Sequence, residues 1–170
     1  MHNKVVHMLA RSFGELGLRT VRFNFRGVGA SHGEFGQGSG ETEDVLAVLD
    51  WARAHEPEGQ IWLAGFSFGA HMALRAAARL PVTRLILVAP PVQHYPKLGP
   101  LPAPRVPILV LQGDQDDVVS PTAVQAWVES LTSPALLRLF PDTGHFFHGR
   151  LNDLRTTLHE ILGPVVSADY

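Results

Sequence analysis

Apolar positions in this chain recur at helical spacing in some stretches and run unbroken in others, and the two patterns take turns. Val5, Leu9, Phe13 and Leu16 lie about four residues apart and predict a helix over residues 2–16. Residues 18–25 (LRTVRFNF) read as a strand, and a glycine-rich loop follows it as far as Gly40. A helix is expected over 41–55, with Val45, Leu46, Leu49 and Trp51 on its apolar side. Next come an apolar strand from Ile61, a tight turn, and an apolar helix to about Leu80. Residues 83–89 (TRLILVA) and 106–112 (VPILVLQ) are nearly continuous apolar runs, as strands covered on both faces are. Residues 121–131 predict a helix with proline at its first position, where the missing N–H costs nothing. A last strand is expected over 136–140 and a closing helix over 151–162. This alternation indicates an α/β domain built on a mostly parallel sheet.

Composition narrows the picture. The chain has 170 residues, enough for a single domain with a substantial core. A formal charge of −2 gives no reason to expect nucleic acid or an anionic membrane as a partner. The absence of cysteine removes disulfides, thiolate metal ligands and a thiol nucleophile. No secretory signal or bilayer-length apolar run is present, so a cytoplasmic location is expected. Seven of the thirteen prolines fall within residues 90–107, which predicts a stiff surface connection and no helical cap.

The densest chemical signal is Gly65-Phe66-Ser67-Phe68-Gly69, placed between strand and helix. A serine on such a turn stands clear of the sheet, and the glycines two residues either side let the flanking backbones close up. Two later strand ends carry matching groups, Gly113-Asp114-Gln115-Asp116-Asp117 and Asp142-Thr143-Gly144-His145. Carboxyl ends of parallel strands share one edge of the sheet, so Ser67, an aspartate of that cluster and His145 are expected to converge there. A serine hydroxyl needs a histidine to take its proton, and the imidazole needs a carboxylate to fix its tautomer. Phe68, next after the serine, offers its backbone N–H to a developing oxyanion.

With the segments RGVGAS, GFSFG, GDQDDVV and DTGHFF in this order, the chain resembles the α/β-hydrolase superfamily, most closely its small, lidless, dienelactone-hydrolase-like bacterial members. The resemblance spans nearly the whole chain and implies a three-layer fold without a cap domain. It places the acid on Asp116, with Asp114 as the next choice and Asp117 solvated. It also implies that the first strands are missing, among them one between residues 18–25 and the strand from Ile61 that leads to Ser67. The loop that supplies a second oxyanion N–H would be missing with them. On this reading residues 1–170 form one N-terminally incomplete domain whose Met1 is an internal methionine, and an intact mass of the natively produced protein tests that.

The expected activity is cleavage of a small carboxylic ester by Ser67, His145 and Asp116 through an acyl-enzyme, with no cofactor, no metal, and only the ester as partner. A thioesterase or small peptidase would use the same residues, and an inactive truncated chain is the alternative of another class. Oligomeric state is not readable. His148 and His71 read as surface and packed residues, His94 and Tyr95 as possible substrate contacts, and Arg26 as a tie for loop carbonyls. Gly27-Val28-Gly29 does not complete a dinucleotide fingerprint, because His32 occupies the sixth position.

Overall fold

The fold is that of a computed structural model, which describes residues 3–93, 95 and 100–168. Its elements are α1 (Lys4–Glu15), α2 (Ser39–His55), β1 (Trp62–Phe66), α3 (Phe68–Ala77), β2 (Arg84–Val88), β3 (Ile108–Gly113), α4 (Pro121–Glu129), β4 (Ala135–Phe140) and α5 (Leu151–Ala168). They group into two compact units, one of residues 24–145 and one of the described residues before 24 and after 145.

The larger unit holds a four-stranded parallel sheet in the order β1-β2-β3-β4. The apolar runs of β2 and β3 form its middle, and Leu85 to Val88 and Ile108 to Leu111 are each 3% exposed or less. Burying each such side chain contributes about 1.5–3 kcal/mol. β4 is an edge strand with Leu136 and Leu139 open to solvent. Helix α3 packs on β1 and β2 and against α2, while α4 lies along β3 and β4. Val45, Leu46 and Leu49 of α2 are buried as expected, but Trp51 is 50% exposed and lies on the His55 ring at 4.2 Å. Two residues beyond Leu49 is about 200° around a helix, so Trp51 cannot share its face.

Residues 18–25 correct the expectation of a strand, for they join no sheet, and Val21 is 52% exposed. An apolar-polar pattern makes a strand only where a neighbour completes the hydrogen-bond ladder.

In the smaller unit α1 packs against α5. Asn3 caps α1, its Oδ1 accepting from the N–H groups of Val5 and Val6. Glu15, at the other end, accepts from Arg11 (2.9 Å), Arg155 (2.6 Å) and His159 (3.1 Å). The two arginines hold its carboxyl down from 4.5 to about 2. Helix α5 runs past its expected end at Leu162, through Pro164 to Ala168. Proline removes one N–H from the ladder, but Leu162 and Val166 are buried. Packing outweighs a local stop signal here.

Candidate active site

The serine sits at the end of β1, with φ 50° and ψ −119°. A non-glycine residue held in such a backbone costs of order 1–3 kcal/mol and persists only where its surroundings dictate it. Here they do. Ser67 N–H donates to the Val88 carbonyl (2.8 Å), and the Ser67 carbonyl accepts from Ala70 (2.9 Å) and His71 (3.2 Å). A Cβ on Gly65 would lie 2.4 Å from the Gly69 backbone and 2.5 Å from Ala70 N, so nothing but glycine fits. A Cβ on Gly69 would meet nothing within 4 Å. The close approach therefore depends on the first glycine of the motif and not, as expected, on both. Phe68 opens α3, so its N–H belongs to the group that a helix leaves without an internal acceptor.

The loops after β3 and β4 are stitched together. Asp114 N–H donates to the Phe140 carbonyl and Gln115 N–H to the Thr143 carbonyl, both at 3.0 Å. A Cβ on Gly113 would fall 2.1 Å from that Thr143 oxygen, so the glycine at the end of β3 permits the contact. This brings Asp116 and His145 together. His145 Nδ1 lies 2.9 Å from Asp116 Oδ2, and its Nε2 lies 3.0 Å from Ser67 Oγ. An ionised carboxylate only accepts, so Nδ1 carries the proton, and Nε2 is left to accept from the serine hydroxyl. Both side chains are buried, His145 to 4% exposure and Asp116 to none. The Phe66 ring packs on the imidazole at 5.0 Å.

Asp116 is held as an anion. Burial pushes its carboxyl up, but hydrogen bonds from His145, Val119, Val118 and Gln112 outweigh this and leave it below the ordinary value. Oδ1 accepts from Val118 N–H (2.9 Å) and Val119 N–H (2.8 Å), and Oδ2 accepts from Gln112 Nε2 (2.9 Å) besides His145. The sequence reading missed Gln112. Its amide is fully buried and also donates to the Gly113 and Val119 carbonyls. A polar residue closing an otherwise apolar strand, four positions before the acid, was the available signal.

The other singled-out residues lie apart from this chain of bonds. Asp114 and Asp117 are exposed, and Asp114 Oδ1 is 3.4 Å from Thr143 N. His148 is exposed and stacks on Phe146. His71 is buried, and burial pushes its pKa down more than the neighbouring Pro91 carbonyl restores it. Tyr95 touches the rings of Phe68 and His71, whereas His94 lies outside the described residues. Arg26 ties not loop carbonyls but the Asp44 carboxylate, through its backbone N–H (2.9 Å), Nε (3.1 Å) and Nη2 (2.7 Å). A guanidinium gains more from a bidentate charged partner than from neutral oxygens. A cleft of about 340 Å³ opens beside Asp116 between Val92 and Ser120, and neither Ser67 nor His145 lines it. Among the described residues no three His, Asp or Glu side chains could hold a metal ion, and no helix is long and apolar enough to cross a membrane.

Residues 2–99 match the model of the α/β hydrolase fold family. The chain belongs to the α/β-hydrolase family. Among solved structures of this family, an α/β serine hydrolase homologue from Coxiella burnetii shares 49% identity and a TM-score of 0.90, covering 95% of this chain and 77% of that one. A lidless α/β serine hydrolase from Xanthomonas campestris shares 49% identity at a TM-score of 0.88, over 95% of this chain and 73% of its own. An uncharacterised protein of Rickettsia prowazekii is 33% identical over 98% of this chain and 74% of that protein. The expected family and fold class hold, with a sheet that numbers four parallel strands among the described residues.

Proposed function

We propose that this chain is a serine hydrolase that cleaves small carboxylic esters. The observation that carries the reading is the unbroken run of bonds from Asp116 through His145 to a serine held at positive φ. Ser67 Oγ attacks the ester carbonyl carbon while its proton passes to His145 Nε2. The C–O bond to the alcohol then breaks, and His145 returns that proton to the leaving oxygen. Water attacks the acyl-serine by the same route, giving the acid and restoring Ser67. Asp116 holds the imidazole and balances the imidazolium charge. The Phe68 N–H, at the positive end of α3, donates to the oxyanion, a contribution of the kind worth about 3–4 kcal/mol. Likeness to a lidless hydrolase supports an open site that favours short acyl chains.

The test is intact mass before and after a fluorophosphonate, beside Ser67→Ala. One adduct that vanishes in the variant is expected. No adduct on folded protein, or one that survives the substitution, would overturn the proposal.

A further inference from the structure

Four aromatic rings meet next to the nucleophile, and none of them is buried. The Phe68 ring contacts Phe25 (5.5 Å, 79° between planes), Phe35 (6.0 Å, 53°) and Tyr95 (5.6 Å, 74°). Phe25, Phe68 and Tyr95 are half-buried, and Phe35 is 66% exposed. Large apolar rings are ordinarily spent on a core, where each removes 150–250 Å² from water. Here separate stretches of chain contribute rings to one solvent-facing cluster. Adjacent Cα atoms are 3.8 Å apart, so the cluster begins one residue from Ser67.

The loop that carries two of these rings is tied down beside each. Next to Phe25, Arg26 is bound through its backbone and guanidinium to Asp44. Next to Phe35, Gly36 N–H donates to Glu41 Oε1, and Gly38 N–H to Glu41 Oε2, both at 2.7 Å. Glu41 is itself buried. A Cβ on Gly40 would collide with the Arg26 guanidinium, so α2 begins hard against the first of these ties. The backbone beside Phe25 and Phe35 is thus held before any ligand arrives, which lowers the entropy cost of presenting their rings.

We propose that Phe25, Phe35, Phe68 and Tyr95 form an aromatic shelf that selects esters bearing an aryl group a few bonds from the carbonyl. This rests on the hydrolase reading of Ser67. With the carbonyl oxygen at the Phe68 N–H, a substrate ring lies against the Phe68 and Phe35 rings, edge-on or offset as such pairs prefer. The shelf discriminates through contact with the ring and leaves small alkyl esters as slower substrates.

Two matched phosphonofluoridates, one with a phenethyl group and one with n-propyl, are compared for their rate of labelling Ser67. The aryl probe is expected to react about three- to tenfold faster, the gain of one aromatic pair. Phe35→Leu, which keeps an apolar side chain at an exposed position, should erase most of that ratio by slowing the aryl probe more than the propyl probe. Methyl 3-phenylpropanoate against methyl butanoate, and 2-phenylethyl acetate against butyl acetate, then show whether the ring belongs to the acyl or the alcohol part. Preference on either side supports the shelf. Equal labelling by both probes, or an equal loss on both in Phe35→Leu, overturns the shelf and leaves the hydrolase reading standing. Labelling of Ser67 by neither probe overturns both.

Discussion

Replacing Asp116 by Asn tests the site most sharply, because the structure states what the amide must give up. The carboxylate accepts from Val118 and Val119 on one oxygen and from Gln112 and His145 on the other. Asparagine has one oxygen, so in either orientation its NH2 faces two donors. If the NH2 faces the backbone amides, neither can change its proton. If it faces Gln112 and His145, the imidazole relieves one clash by moving its proton to Nε2. The second arrangement therefore wins, and His145 then presents N–H to Ser67 and has no site for the serine proton. Gln112 could turn its Oε1 towards the new NH2 only by giving up the Nε2 bonds to two carbonyls. Each lost bond to the buried charge is worth about 1.5–3 kcal/mol, while relief of the burial of that charge offsets part of the loss. A net destabilisation of roughly 2–4 kcal/mol is expected, with a fall in kcat of about 10⁴, as for a triad left in the wrong tautomer. Urea unfolding reads the first quantity, and hydrolysis of a short acetate ester the second. Asp114→Asn, at an exposed position, should stay near wild type in both. An Asp116→Asn protein that folds and keeps activity within tenfold of wild type would refute the assignment of acid and tautomer.

Two further outcomes follow from the geometry. Gly65→Ala should cost several kcal/mol or prevent folding, whereas Gly69→Ala should fold normally and gain up to about 1 kcal/mol of helix propensity; thermal melts of both variants decide this. Glu15, with its carboxyl held at about 2, contributes stability that is fully present above pH 4.5 and lost as pH falls towards 2. Chemical denaturation at a series of pH values should show the gap between wild type and Glu15→Gln closing over that window, and a constant gap would refute the ion cluster.

What was readable in the sequence and what was not divide along physical lines. The runs that became β2 and β3 are buried on both faces, so composition alone marked them. The elbow was legible because its constraint is local: a strand, a serine and a helix in immediate succession. The stretch 18–25 has as good a local pattern, but its state depends on a neighbour, and no window of sequence contains the neighbour. Trp51 was misplaced by two residues' worth of helical rotation. Gln112 stayed hidden because a glutamine reads as surface until its amide is seen surrounded by carbonyls and a carboxylate. The end of α5 lies beyond the expected Leu162 because Pro164 reads locally as a stop, while the burial of Val166 depends on packing that the local sequence does not show. Of the site itself, the convergence of Ser67, His145 and an aspartate of the 114–117 cluster followed from strand polarity and the choice of Asp116 from the family resemblance, whereas Gln112 as a side-chain donor to Asp116 followed from neither.

The crowding around Asp116 has a consequence for isotope chemistry. A carboxylate offers about four lone-pair directions, and four N–H groups occupy them. The three donors besides His145, two of them backbone amides, stabilise the anion and keep its affinity for a proton low, so the proton shared with His145 stays on Nδ1. In any reaction that runs through this chain, one proton is in flight between serine and imidazole while the imidazole–carboxylate proton stays where it is. In mixtures of H2O and D2O the rate should therefore fall as a straight line with deuterium content, the signature of a single moving hydrogen, where a two-proton relay would bow.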